Sequence, residues 1–97
     1  MPVSQVQVLQ FGPSLSIRDV TDYAVQIKTL LDDGPVELDL KRVETIDTAG
    51  LQLLLAARRH AADGGRELKV TNPSRPVSDV LELCRLNARL VAESRPQ

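Results

Sequence analysis

Apolar and polar residues change period several times along the chain. Val6-Gln7-Val8 alternates, the period of a half-buried strand. Gly12-Pro13-Ser14 is a turn signal, and Leu15-Ser16-Ile17 alternates again, so a short hairpin is expected here. Asp19 then stands where a helix cap is wanted. Val20, Tyr23, Ala24, Ile27, Leu30 and Leu31 follow at helical spacing and form one apolar stripe. Asp32-Asp33-Gly34-Pro35 ends it. Val36, Leu38 and Leu40 alternate with Glu37, Asp39 and Lys41, which predicts a strand with one buried face. A loop over Arg42 to Thr45 leads to Ile46-Asp47-Thr48-Ala49-Gly50 and a second helix from about Ala49 to Ala62. Leu51, Leu54, Leu55 and Arg58 lie along one side of it, and Gly64-Gly65 stops it. Glu67 to Thr71 is a short strand centred on Leu68 and Val70. Asn72-Pro73-Ser74 can cap a third helix whose apolar face is Val77, Val80, Leu81 and Cys84. Leu90 and Val91 form a last strand or an irregular tail, and Ser94 to Gln97 are expected to fray.

Strands that alternate with helices imply an α/β fold with right-handed crossovers between parallel strands. The expectation is a mixed, mostly parallel sheet of four to five strands with helices packed on it. The 97 residues fit a single domain, residues 1–97, with its core over about 6–91.

Composition narrows the function. Hydrophobic residues make up 42% and charged residues 26%, a globular balance. With one Phe, one Tyr and no Trp, the core must be aliphatic, and no aromatic platform for stacking bases exists. The net charge of -1 also argues against a nucleic-acid partner. Charge is segregated: residues 1–57 hold four basic and eight acidic side chains, and residues 58–97 hold eight basic and five acidic. No apolar run approaches the ~18 residues of a membrane span. The N-terminus lacks a basic segment followed by an apolar one, and a lone cysteine cannot form an internal disulfide. A cytoplasmic protein without membrane insertion is expected.

Catalytic sets are thin. His60 is the only histidine and reads as a solvated residue near a helix end, and Cys84 as a small buried hydrophobe. No phosphate-cradling glycine loop or nucleophile-elbow motif is present. A receiver-like phosphotransfer site needs clustered carboxylates and a lysine across from them, whereas Asp39 lies inside a strand beside Lys41. No enzyme activity, cofactor or metal is expected. The informative segment is Val43 to Leu55, in which a strand ends in a carboxylate and a hydroxyl, followed by Ala49, Gly50 and an apolar helix. Thr48 stands at or beside the helix cap, where its hydroxyl can bond a free first-turn N–H. Gly50 in a first turn costs helicity about 1 kcal/mol relative to Ala, and close approach of another backbone would explain it.

Val36-Glu37-Leu38-Asp39-Leu40, then Ile46-Asp47-Thr48-Ala49-Gly50-Leu51 and a Leu-rich helix, resembles the STAS domain family of anti-sigma factor antagonists. That family carries Asp, then Ser or Thr, a small residue and Gly at the start of its second helix. The resemblance implies a non-enzymatic regulator and a phosphorylation switch. A GHKL-type kinase that doubles as an anti-sigma factor phosphorylates the hydroxyl, the unmodified antagonist binds that kinase, and a phosphatase resets the system. Carried over, Thr48 is the phosphoacceptor, and Asp47, Thr48, Ala49, Gly50 and Leu51 form the partner-binding segment. Asp47 orients the hydroxyl, and Ala49 and Gly50 permit close docking. The same residues also resemble the small STAS subunit of a lipid-transport ABC complex, which docks on the ATPase subunit. A weaker link runs to STAS proteins that work beside chemotaxis-type kinases.

Overall fold

The computed structural model describes residues 5–84. The elements are β1 (Gln7–Gln10), β2 (Ser14–Leu15), α1 (Val20–Asp33), β3 (Val36–Asp39), β4 (Thr45–Ile46), α2 (Thr48–Asp63), β5 (Leu68–Thr71) and α3 (Arg75–Leu83). The architecture is α/β, as expected. The strands split into a three-stranded sheet of order β1-β3-β5 and a two-stranded sheet of β2 and β4. All of these pairings are parallel, with Gln7 beside Val36, Val36 beside Leu68, and Leu15 beside Ile46. Central β3 is the most apolar strand on its core side, and its Val36 and Leu38 are fully buried. The expected last strand at Leu90 and Val91 and the frayed end lie outside the described residues.

The expected hairpin does not form. Phe11 and Leu15 are both drawn into the core, so the chain leaves the first sheet after β1 and enters the second. The backbone beyond the turn then finds partners in the loop before α2. The Pro13 carbonyl accepts from the N–H groups of Glu44 and Thr45, and the Leu15 carbonyl accepts from that of Asp47 at 3.3 Å. Pairing with residues 44–47 thus satisfies polar groups that a hairpin would have satisfied with β1.

The α1 stripe falls as its spacing predicts, with Ile27 and Leu31 buried and Tyr23 and Leu30 packed beside them. On α2 the buried line is Gly50, Leu51, Leu54, Ala57 and Ala61, while Leu55 and Arg58 sit half-exposed at its margin. Ser74 caps α3, its hydroxyl accepting from the Val77 N–H, and Val77 and Leu81 face the core. Cys84 departs from expectation: it is exposed. Its N–H closes a last bond to the Val80 carbonyl, but α3 ends at Leu83, so the stripe stops before the cysteine can continue it.

Candidate functional site

The site begins where β4 gives way to α2. Asp47 has an extended backbone and is the helix cap: one carboxylate oxygen accepts from the Gly50 N–H at 2.9 Å. The other accepts from the Ile17 N–H at 3.0 Å. One side chain therefore caps the helix and ties it to the loop between β2 and α1. The Gly50 N–H, followed by that of Ile17, holds the Asp47 carboxyl below its ordinary pKa, because both bonds favour the charged form.

The Ile17 loop is itself held. Asp19 occupies the cap position of α1 but makes no capping bond with its side chain. Its carboxylate turns back instead and accepts from the Ser16 N–H, the Ser16 hydroxyl and the Ser14 hydroxyl at 3.0 to 3.1 Å. The Ser16 N–H, then the two hydroxyls, lower its pKa. This turn presents the Ile17 N–H to Asp47.

Thr48 is thus the first helical residue, beside the cap. It is exposed, and among the described residues its hydroxyl has no hydrogen-bond partner. Ala49 is half-buried. Gly50 and Leu51 lie below the surface, Leu51 within the core. The close neighbour that Gly50 admits belongs to the same chain: a Cβ there would run into the Leu15 carbonyl oxygen and would stand 3.0 Å from Ile46 Cγ1 and Leu15 Cγ. The chain's own β2 thus occupies the space that the missing side chain leaves.

Beside Ala49, a shallow groove between α1 and α2 is lined by Ile17, Val20, Ala24, Val25 and Leu53. Ile17 and Val25 are well exposed, at 67% and 60%. Alternation with Leu15 predicts Ile17 on a strand, but it lies in the turn between β2 and α1. The signal for Val25 is that it is an aliphatic residue lying off the α1 stripe.

Asp39 is the buried carboxylate of the molecule's described part. Burial pushes its pKa up, but the Lys41 N–H, the Gln10 amide and the Asn72 side chain more than offset this and hold it low. The group ties the ends of β1 and β3 to the loop after β5. His60 is exposed in the last turn of α2. Among the described residues, no three metal-ligating side chains converge, and no helix is long and apolar enough to cross a membrane.

Solved structures share this fold. SpoIIAA, an anti-sigma factor antagonist in its unphosphorylated form, superposes with a TM-score of 0.74 at 19% identity, covering 94% of this chain and 82% of that one. A sulfate transporter family protein from Wolinella succinogenes gives 0.70 at 19% identity over 96% of this chain and 76% of that one. A candidate anti-sigma factor antagonist from Thermotoga maritima gives 0.67 at 22% identity, over 87% and 76%. At these identities the likeness is one of fold, that of a small STAS-like α/β domain. A family model described as "Mlab, STAS domain" matches residues 3–92, and the chain belongs to the STAS domain family. No curated protein sequence matches it significantly.

Proposed function

We propose that this STAS domain is a non-enzymatic, cytoplasmic regulator that docks on a partner protein through the N-terminal tip of α2. Thr48 is its phosphoacceptor, and Asp47, Ala49 and the groove beside them form the rest of the contact. Gly50 and Leu51 serve from beneath, by fixing the helix against β2. The observation that carries this reading is the Thr48 side chain, exposed at the first helical position while Asp47 alone performs the capping.

The partner is an anti-sigma factor with GHKL-type kinase activity. It moves the γ-phosphoryl group of ATP onto Thr48 Oγ1, with loss of the hydroxyl proton and release of ADP, and a phosphatase hydrolyses the ester. The phosphate adds about -1.5 to -2 charges. A helix N-terminus accommodates an anion, so the fold survives the modification. Asp47 repels the phosphate in the free and the bound protein alike, so binding is opposed by carboxylates across the interface. At ~6 Å and an effective dielectric of 20–80, the repulsion is about 1–5 kcal/mol, which weakens binding several-fold to a few thousand-fold. Thr48→Glu is therefore expected to weaken binding to the co-purified partner while its circular dichroism stays native. Equal affinity of Thr48→Glu and wild type would refute the switch.

The match to the "Mlab, STAS domain" family favours a second reading. In it the same tip docks on the ATPase subunit of a lipid-transport ABC complex, and no phosphate is involved. Affinity capture of the full chain from its native cells, with mass spectrometry of the captured proteins and of Thr48, separates the two. A GHKL-type kinase with Thr48 phosphate supports the first, and an ABC ATPase with unmodified Thr48 supports the second.

A further inference from the structure

Residues 1–17 hold no charged side chain, so neither β1 nor the residues directly beside it bring one to its edge. Among the described residues β1 is an edge strand, paired with β3 on one side only. The Gln7 and Phe11 N–H groups donate to Pro35 and Asp39 of the neighbouring strand and its lead-in. By the alternation of a parallel ladder, the peptide groups of Val6, Val8 and Gln10 point away from β3, to the open edge. The same alternation sends Leu9 and Phe11 to the core, while Val6 and Val8 stand on the opposite face, 50% and 54% exposed. Edges of this kind are normally blunted by charge, proline or a bulge. The other outer strand among the described residues carries such a guard: Lys69 is exposed on β5 and pairs with Glu67 at 3.8 Å. β1 carries none.

We propose that the β1 edge is a self-association surface, and that its occupant is the β1 edge of a second copy. A closed dimer requires a two-fold axis, which makes the two strands antiparallel. With the axis beside Val8, Val8 faces its own counterpart and Val6 faces Gln10 of the other copy. In that register the outward N–H and C=O groups of all three residues exchange hydrogen bonds in pairs. The strand is compatible with itself because it brings no charge to the seam, and valine against valine is a favourable cross-strand pair. The two three-stranded sheets become continuous, and among the described residues each ends at a charged β5 edge, which resists further strand addition, so assembly stops at two. A single strand pair buries less than the ~1,200 Å² of a standard stable interface, so the dimer is weak and concentration-dependent. This surface shares no residue with the Thr48 site.

The test is sedimentation velocity of the full chain over a concentration series, with amide hydrogen exchange at both ends of the series. The wild type is expected to shift reversibly from monomer to dimer, with protection rising at Val8 and Gln10. Val8→Lys and Val6→Lys place like charges at or beside the seam on an already exposed face. Each is expected to keep native circular dichroism and to weaken dimerisation by about tenfold or more. Leu83→Lys, at an exposed leucine on α3, is expected to dimerise like the wild type. A wild type that stays monomeric throughout, open-ended aggregates, a dimer indifferent to both β1 lysines, or one abolished by Leu83→Lys would overturn the proposal.

Discussion

Gly50→Ala separates two explanations for a glycine in the first turn of α2. If the glycine exists only to admit something from outside, alanine should stabilise the isolated protein, because helix propensity alone favours it by about 1 kcal/mol. The structure argues for the opposite sign. The new Cβ would overlap the Leu15 carbonyl oxygen and crowd Leu15 Cγ and Ile46 Cγ1, each at 3.0 Å. That carbonyl cannot swing aside freely. Leu15 is fully buried, is in register with Ile46, and its carbonyl accepts from the Asp47 N–H. Relief requires β2 to shift against α2, and overpacking of this kind costs about 1–3 kcal/mol, toward the upper end when the obstacle is backbone. Subtracting the propensity gain leaves a net loss of about 2 kcal/mol, or roughly 8–16 °C in Tm for a domain of this size. Gly64→Ala is the control. Its φ of -92° suits any residue, and the nearest atoms to its Cβ are at 3.6 Å, so it should be neutral or up to about 1 kcal/mol more stable. Thermal and urea unfolding followed by circular dichroism measure both. A Gly50→Ala protein as stable as the wild type would refute the packing argument and return Gly50 to the list of residues kept small for a partner.

Acid titration should destabilise the protein through Asp19, Asp39 and Asp47, whose carboxyls are all held low in the folded state. The unfolded chain then binds more protons than the folded one, so their contribution is present above the ordinary Asp value of about 4 and is lost as pH falls through the lower folded values; a flat unfolding free energy between pH 5 and the acid range would contradict this. Asp47→Asn retains only one acceptor oxygen for two N–H donors, so it should fold, reduce the acid dependence and speed exchange at the Ile17 or Gly50 amide, as two-dimensional NMR would record. Thr48→Ala removes a hydroxyl that bonds no described residue, and should leave the unfolding free energy within about 0.5 kcal/mol of the wild type while still binding the partner. Cys84 is exposed, so a thiol reagent should label it in the native protein nearly as fast as in urea.

The helices were legible because their stripes are long. Six positions of α1 repeat at helical spacing, and the α3 cap, Ser74, lies in the Asn72-Pro73-Ser74 loop expected to supply it, whereas the capping bond expected of the Thr48 hydroxyl is made by Asp47. The expected hairpin does not form because β2 is two residues long and its pairing is decided by where Phe11 and Leu15 bury, which no local alternation encodes. Gly50 was singled out correctly as a site of close approach, but the neighbour is 35 positions earlier in the chain and belongs to β2. Cys84 continued a stripe on paper and fell off it in space because the helix had already ended. The exposure of Ile17 and Val25 is not legible in the sequence, because an apolar residue carries no mark of the side it faces.

The arrangement at the tip of α2 divides labour between adjacent residues. In a simpler helix start, the threonine hydroxyl would satisfy a first-turn N–H and would be needed for stability. Here the Asp47 carboxylate reaches both the Gly50 N–H and the Ile17 N–H, and the Asp19 turn holds the second donor in place. Two carboxylates and two serines therefore do the structural work, and the one residue freed of it is Thr48. A group with no structural duty can be modified, masked by a partner or replaced without a stability cost, whereas the adjacent carboxylate cannot. Asp47→Ala and Thr48→Ala should accordingly diverge, although the two side chains are neighbours: the first should lower Tm and loosen the Ile17 loop, and the second should do neither. Equal effects of the two substitutions on unfolding would mean that the hydroxyl carries part of the cap after all, and that the tip is not free to serve as a switch.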